Sequence, residues 1–365
     1  MRIALVVPGG VDRSGEYRVI PALLALIERL SHHHDVQVIA LTQEPQAAEW
    51  HLAGAHIHNI GVHRTGLRAL LTIYKMHRRA PFDLVQAIWC GTAGLVAAIM
   101  GKVLGIPSLI HVAGGELVSL PEIGYGGAQT RKGGLREALV LRRVSAVTAA
   151  STPVIDALTK LRITAQRIPL GVDLGAWPPR HPVRRDASRP ARLIHIASLN
   201  RVKDQSTLLR ALAVLMKSGT RFEMNIVGED TLHGEIQALC AQLNLSNVVR
   251  FHGFLTQRQL RPLVEAADLL VLSSRHETGP LVALEAAVAG VPTVGTQVGH
   301  VTEWAPLAAA SVAVGDWAGL AGAIRRLLED DDLRMSIAHE AFRRAMREDA
   351  DYTAQRFGSL YAQLT

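Results

Sequence analysis

Short apolar runs alternate along this chain with longer stretches in which apolar residues recur every three or four positions. RIALVVPGG at the start, DVQVIALT (35–42), DLVQAI (83–88), IPSLIHVAG (106–114) and VSAVTAA (144–150) predict strands. Tyr17–Leu30 carries the helical period between the first two, and RIPLGVD (167–173) closes this half. LGAWPPRHPVRRDASRPARL follows, with four prolines and five arginines in twenty residues, and reads as an interdomain linker over 174–191. The second half repeats the alternation. LIHIASL, FEMNIVG, VVRFHGF, LLVLSS and TVGT predict strands, with helices beginning near Gln205, Gly234, Thr256 and Pro280 and two more in the tail. Strands alternating with helices imply parallel sheets covered on both faces. The expected fold class is therefore α/β, with Rossmann-like domains over 1–173 and 192–349 facing across a cleft. Ligands of such sheets bind beyond the carboxyl ends of the strands.

One segment breaks the apolar pattern. In RHETGPLVALEAAVAGVPTV (275–294), Glu277 and Glu285 have seven residues between them, and Glu285 is the only charge from Pro280 to Val294. Pro280 suits the first position of a helix, and Gly290 with Pro292 ends it. Glu277 then lies in the loop at the helix mouth and Glu285 more than a turn inside. A buried polar group without a partner costs roughly 2–7 kcal/mol, so something polar should meet Glu285. The helix N-terminus offers free N–H groups and partial positive charge, a natural seat for phosphate. Carboxylates on either side of an anion seat suit a ligand with hydroxyls at both ends of a phosphate bridge, the shape of a nucleotide-sugar. The plainer alternative makes Glu285 a structural carboxylate bonded to backbone amides or an arginine.

Composition narrows the classes. A hydrophobic content of 48% over 365 residues is ample for two cores and excludes disorder. Cys90 and Cys240 lie far apart without metal-type spacing, which fits a reducing cytoplasm. The first apolar stretch is too short for a signal peptide, and AIWCGTAGLVAAIMG (87–101) is too short and glycine-rich for a membrane span. The net charge of +7 is uneven: residues 1–175 hold 18 Lys and Arg against 12 Asp and Glu, the remainder 21 against 20. Aromatics at 4% do not interleave with this basic excess, so no nucleic-acid partner is expected. TGLRALLTIYKMHRRA (65–80) is a basic amphipathic helix pattern, either an ordinary solvated face or a contact with anionic lipid. His32–His34 read as a solvated turn rather than a metal site, since adjacent side chains point apart. GYGGAQTRKGG (124–134) is glycine-rich and basic, either an acceptor loop or simply a loop.

VPGGVDRSGEY, RIPLGVD, ASLNRVKDQSTLLRAL, IVGEDTLHGEIQAL, NVVRFHGFL and SSRHETGPLVALEAAVAGVP together, in this order, resemble the signatures of glycosyltransferase family 4, the retaining nucleotide-sugar transferases of the GT-B fold. The resemblance covers nearly the whole chain. It implies that Glu277 faces the transferred sugar and Glu285 the ribose hydroxyls. Lys203 and the backbone around Gly279, Pro280 and Leu281 would stabilise the departing diphosphate. Gly228, Gly253 and Phe254 would frame the nucleotide, and Gly9 and Gly10 would let the N-terminal backbone approach the phosphates. Glu116 falls at the acidic acceptor position, with His111 on the strand before it. The helix at about 350–365 would pack back on the first domain.

Two positions depart from the family pattern. Ser198 stands where a second diphosphate cation is usual, leaving Arg201 or Arg275 as substitutes, and Ala113 stands where a histidine is usual. The plainer alternatives make Lys203 a surface residue opening a helix and Gly9–Gly10 a tight turn. The expected function is sugar transfer from a nucleotide-sugar to a glycan or lipid-linked acceptor in cell-envelope synthesis. The expected place is the cytoplasm, either free or peripheral on the inner face of the membrane, with no metal and no other cofactor. The alternative is a non-catalytic nucleotide-sugar binder or partner subunit. An epimerase or a phosphorylase on the same fold is a further class, and no pyridoxal phosphate signature supports the latter.

Overall fold

The computed structural model describes residues 1–365, apart from the side chains of Arg131 and Lys132. The chain folds as two compact units, Met1–Asp173 with Glu348–Thr365, and Leu174–Arg347.

The first unit opens with β1 (Arg2–Val7), α1 (Pro21–Ser31), β2 (Asp35–Ala40), β3 (Ala48–Leu52) and β4 (Ala55–Asn59). It continues with α2 (Thr65–Arg79), β5 (Leu84–Ile88), α3 (Gly91–Leu104) and β6 (Ser108–Val112). α4 (Arg131–Leu141), β7 (Ala146–Ala149), α5 (Thr152–Lys160) and β8 (Gln166–Arg167) complete the alternation. The strand order is β3-β4-β2-β1-β5-β6-β7-β8, parallel throughout except for the β3–β4 pair. β1, β5 and β6 lie in the middle of the sheet and are almost wholly apolar, as strands covered on both faces must be.

Leu174–Arg347 begins with β9 (Ala191–Ile196), α6 (Gln205–Lys217), β10 (Phe222–Val227), α7 (Glu235–Gln242) and β11 (Val249–Phe251). α8 (Gln257–Glu265), β12 (Leu269–Leu272), α9 (Leu281–Val288) and β13 (Thr293–Thr296) follow. The unit ends with α10 (Gly299–Trp304), β14 (Ala309–Val312), α11 (Trp317–Glu329) and α12 (Asp331–Arg347). Its six parallel strands run β11-β10-β9-β12-β13-β14. The last helix, α13 (Ala350–Leu364), belongs to the first unit. It packs on α1, Tyr361 donates its hydroxyl proton to the buried Gln86 of β5, and Thr353 Oγ1 accepts from Gly171 N at 2.9 Å.

Several elements differ from the sequence reading. The first helix starts at Pro21, because the chain bends at Arg18, with φ of +52°, and Val19 bridges the glycine turn, with Ile20 N donating to Gly10 O. The β3–β4 hairpin, α10 and β14 carry too few periodic residues to announce themselves. Residues 124–134 are a loop only as far as the N-cap Thr130, where α4 begins; the side chains of Arg131 and Lys132 lie outside the described residues. The segment read as a linker is bound to the second unit. Arg180 N donates to Val288 O at 2.9 Å, and Arg189 forks onto the buried Asp268 at 2.7 and 2.9 Å. An arginine can fix a connecting segment to the unit it crosses when a carboxylate faces it. Among the described residues, no helix is long and apolar enough to cross a membrane.

Candidate active site

In the second unit the loops at the carboxyl ends of β9 and β12 come together. β12 ends at Leu272, and Ser273 Oγ donates to Lys203 O at 2.8 Å, while Arg275 N donates to Val202 O at 2.7 Å. These bonds lay the 273–278 loop along the 200–204 turn. The Lys203 ammonium then meets Glu277 Oε1 at 2.5 Å, and Ser274 Oγ donates to the same oxygen at 2.7 Å. Both charged side chains are half-buried, 26% and 13% exposed, so screening is reduced and the carboxylate orients the ammonium.

The support beneath is polar and fully buried. His195 of β9 donates Nδ1–H to Val271 O at 2.8 Å, which leaves Nε2 to accept from Gln205 Nε2 at 3.2 Å. Burial holds its pKa down to about 4, so the ring is neutral. Gln205 also donates to Ser198 O at 3.1 Å, fixing the strand end where the missing cation was expected. Gly228 closes the neighbouring strand with φ at +151°; a Cβ there would lie 2.0 Å from Ala197 O, so only glycine fits.

Glu285 sits inside α9, 7% exposed. Its one side-chain hydrogen-bond partner among the described residues is Gln257 Nε2, at 2.9 Å from Oε1. Burial pushes the carboxyl up to about 7, only partly offset by Gln257. Pro280 is the N-cap rather than the first helical residue, since its ψ of 109° is extended, and no side chain caps the Leu281 end. Gly279 and Leu281 flank it. Gly253 and Phe254 are exposed after β11, with Gly253 O accepting from Gly228 N at 2.8 Å. Of the two candidate substitute arginines, Arg201 is exposed and paired with Glu235 at 2.9 Å. Arg275 pairs with Asp204, the N-cap of α6, at 3.2 Å, one residue from Lys203.

The first unit places its predicted residues differently. Gly10 N and Val11 N both donate to Gln43 Oε1, at 2.7 and 3.0 Å, so the glycine turn spends these amides on its own chain. His111 is on β6, fully buried, with Nδ1 3.0 Å from Thr148 Oγ1 and its ring edge on Phe357 of α13. Burial lowers its pKa to about 3. The sequence placed it at the acceptor face; strand alternation instead turns it into the core. Glu116 accepts from Cys90 N at 2.9 Å and Gly114 N at 2.8 Å, and Glu137 accepts from Gly91 N at 3.1 Å. Two carboxylates thus hold the N-terminus of α3, where its dipole favours them. Glu116 also lines a cavity of about 410 Å³ with Pro8, Thr42, Thr65 and Trp89, at the carboxyl ends of β1, β2 and β5.

Sequence reasoning missed Ser274, Gln257, His195 and Glu137. Ser274 was legible as the hydroxyl three residues before Glu277. The other three meet their partners only through tertiary folding.

Residues 19–171 match the family described as glycosyl transferase 4-like domain, and residues 181–344 match glycosyl transferases group 1. The chain is 30% identical over 234 residues to glycogen synthase of Mycobacterium tuberculosis, covering 62% of this chain and 55% of that one. It thus spans about half the length of this curated relative. It is 27% identical over 301 residues to 2-deoxystreptamine glucosyltransferase of Streptomyces kanamyceticus, covering 74% and 75%. In fold it is similar to sucrose-phosphate synthase from Thermosynechococcus elongatus (TM-score 0.83, 19% identity, 100% and 99% covered). It is also similar to Anabaena HepE in complex with UDP-glucose (TM-score 0.77, 21% identity, both chains covered in full).

Proposed function

We propose that this chain, which belongs to the GT4-type glycosyltransferases of the GT-B fold, moves a sugar from a nucleoside diphosphate sugar to an acceptor hydroxyl with retention at the anomeric carbon. The observation that carries this reading is the pairing, within one unit, of Lys203–Glu277 at one carboxyl-end loop with a buried Glu285 behind the uncapped start of α9. The Glu285 carboxylate accepts from the ribose hydroxyls. Lys203, with the amides at the start of α9, receives the diphosphate. Glu277, held by Ser274, orients the sugar. As the acceptor oxygen bonds to the anomeric carbon, the bond to phosphate oxygen breaks. The diphosphate leaves with the electron pair and takes the acceptor's proton. Charge grows on the leaving oxygen, where Lys203 stabilises it most.

The cavity beside Glu116 is the proposed acceptor pocket, and Glu116 is its positioning residue, tying the 114–116 turn to α3. The proposed product is a cell-envelope polysaccharide or glycolipid made in the cytoplasm. α2 supports a peripheral anionic-membrane contact: Leu67, Leu71 and Tyr74 are exposed beside Arg68 and Lys75. The reaction needs no metal at the diphosphate, because Lys203 and the helix amides supply the positive charge.

A non-catalytic nucleotide-sugar binder is the second reading. Ser198 at the cation position, and Arg201 committed to Glu235, favour it. A thermal-shift panel of UDP, GDP, ADP and their sugars on wild type and Glu285→Ala, followed by turnover with an acceptor panel, separates the two. UDP-glucose is the first donor to test, since HepE holds it. A shift lost in Glu285→Ala with turnover and a retained anomeric configuration supports transfer; binding without turnover supports the second reading.

A further inference from the structure

We propose that Glu49, His56 and His58 form a binding site for a zinc-class divalent transition metal on the β3–β4 hairpin. The inference is independent of the transfer reading. The hairpin turns through Ala53 and Gly54, with φ of +51° and +76°, the two successive left-handed residues of a tight two-residue turn. That turn fixes the register, His51 opposite His56 and Glu49 opposite His58. Strand alternation gathers these four on one face and leaves Trp50 and the fully buried Ile57 on the other. Linear spacing hides the cluster, because half of it comes from each strand.

The geometry suits a small cation. Glu49 Oε1 lies 3.1 Å from His58 Nδ1, and Oε2 lies 3.5 Å from His56 Nε2. The three ligand atoms all fall within 4.8 Å of one another. Tetrahedral zinc with bonds of about 2.0–2.1 Å has ligand–ligand edges of roughly 3.3–3.4 Å, close to the distance of each histidine from its nearer Glu49 oxygen. Two imidazoles and one carboxylate favour zinc over calcium or magnesium. The His51 ring, stacked 4.6 Å from His56, is the nearest further imidazole.

The tautomer of His58 supplies the second argument. Gln37 Nε2 donates to Asp35 Oδ1 at 2.6 Å, so its carbonyl Oε1 is the atom facing His58 Nε2 at 2.9 Å. Nε2 therefore carries the hydrogen, and Nδ1 presents its lone pair to the Glu49 carboxylate. Two electron pairs at that distance need a cation between them. A second hydrogen bond that fixes a histidine's tautomer is the usual support of a metal ligand. The site has a structural consequence: Trp50, between Glu49 and His51, donates Nε1–H to Val11 O at 3.1 Å and lies under Arg13. A metal on one face would stiffen the hairpin that holds the glycine turn on the other.

The test uses the full-length chain, stripped with chelator and titrated with Zn²⁺ by calorimetry, with Co²⁺ absorption reporting coordination. One equivalent should bind, and saturating Zn²⁺ should raise the melting temperature by roughly 5–10 °C. His56→Ala and the largely exposed Glu49→Gln should each weaken binding at least tenfold without moving the metal-free melting temperature. His33→Ala, in the run His32–His34, should bind as wild type. Absence of saturable uptake, uptake that survives His56→Ala and Glu49→Gln together, or loss in His33→Ala would each overturn the site and leave a proton as the cation joining Glu49 to His58.

Discussion

Lys203 Nζ and Glu277 Oε1, 74 residues apart in sequence, meet at 2.5 Å because Ser273 and Arg275 are bonded to the turn that carries the lysine. The fold itself therefore sets the pair. Lys203→Ala would leave a half-buried carboxylate with Ser274 alone and cost about 1–3 kcal/mol of stability. Removing a cation from the leaving group should lower kcat by about 10²–10³. Urea unfolding and an initial-rate assay with the donor identified by thermal shift measure the two effects separately.

Arg275→Ala and Arg201→Ala should diverge. Arg275 is anchored beside Lys203 through Asp204, whereas Arg201 pairs with Glu235 on an exposed face. If Arg275 supplies the second positive charge, its loss should cut kcat/KM at least tenfold, and loss of Arg201 should change it by less than threefold. Equal effects, measured on the same donor and acceptor, would reject this assignment.

Glu285 sets a pH dependence. Its folded pKa of about 7 lies above the ordinary 4.5, so the unfolded chain ionises first. Stability from this group is fully present below about 4.5, falls as pH rises between 4.5 and 7, and stays low above. The span corresponds to about 3 kcal/mol. Glu285→Gln should therefore gain on wild type across that window in urea titrations at successive pH values. A bound ribose, donating to the carboxylate, should bind more tightly as pH passes 7.

Tyr361→Phe tests the return of the last helix to the first unit. The hydroxyl is the donor to Gln86 Oε1, and Gln86 is fully buried on β5. Removing it strands a buried carbonyl and should cost about 1–3 kcal/mol in the denaturant unfolding of that unit. Nucleotide binding to the second unit should stay within twofold.

The sequence by itself determined what depends on local period and local chemistry. Alternating apolar runs specify two parallel-sheet units, because a strand covered on both faces must be apolar and a covering helix must repeat every three to four residues. The interval from Glu277 to Glu285 locates a helix mouth and a buried carboxyl, since Pro280 and Gly290 bracket the helix between them. Tertiary structure alone decided what depends on which side chains meet. It turned His111 inward beneath Phe357 and gave the Gly10 and Val11 amides to Gln43. It bound the arginine-rich 174–191 segment to the second unit and set two histidines of β4 against Glu49 of β3. Periodicity states which residues are buried or share a face; partners distant in sequence are chosen by packing, where each buried polar group must find whatever the fold brings within hydrogen-bonding reach.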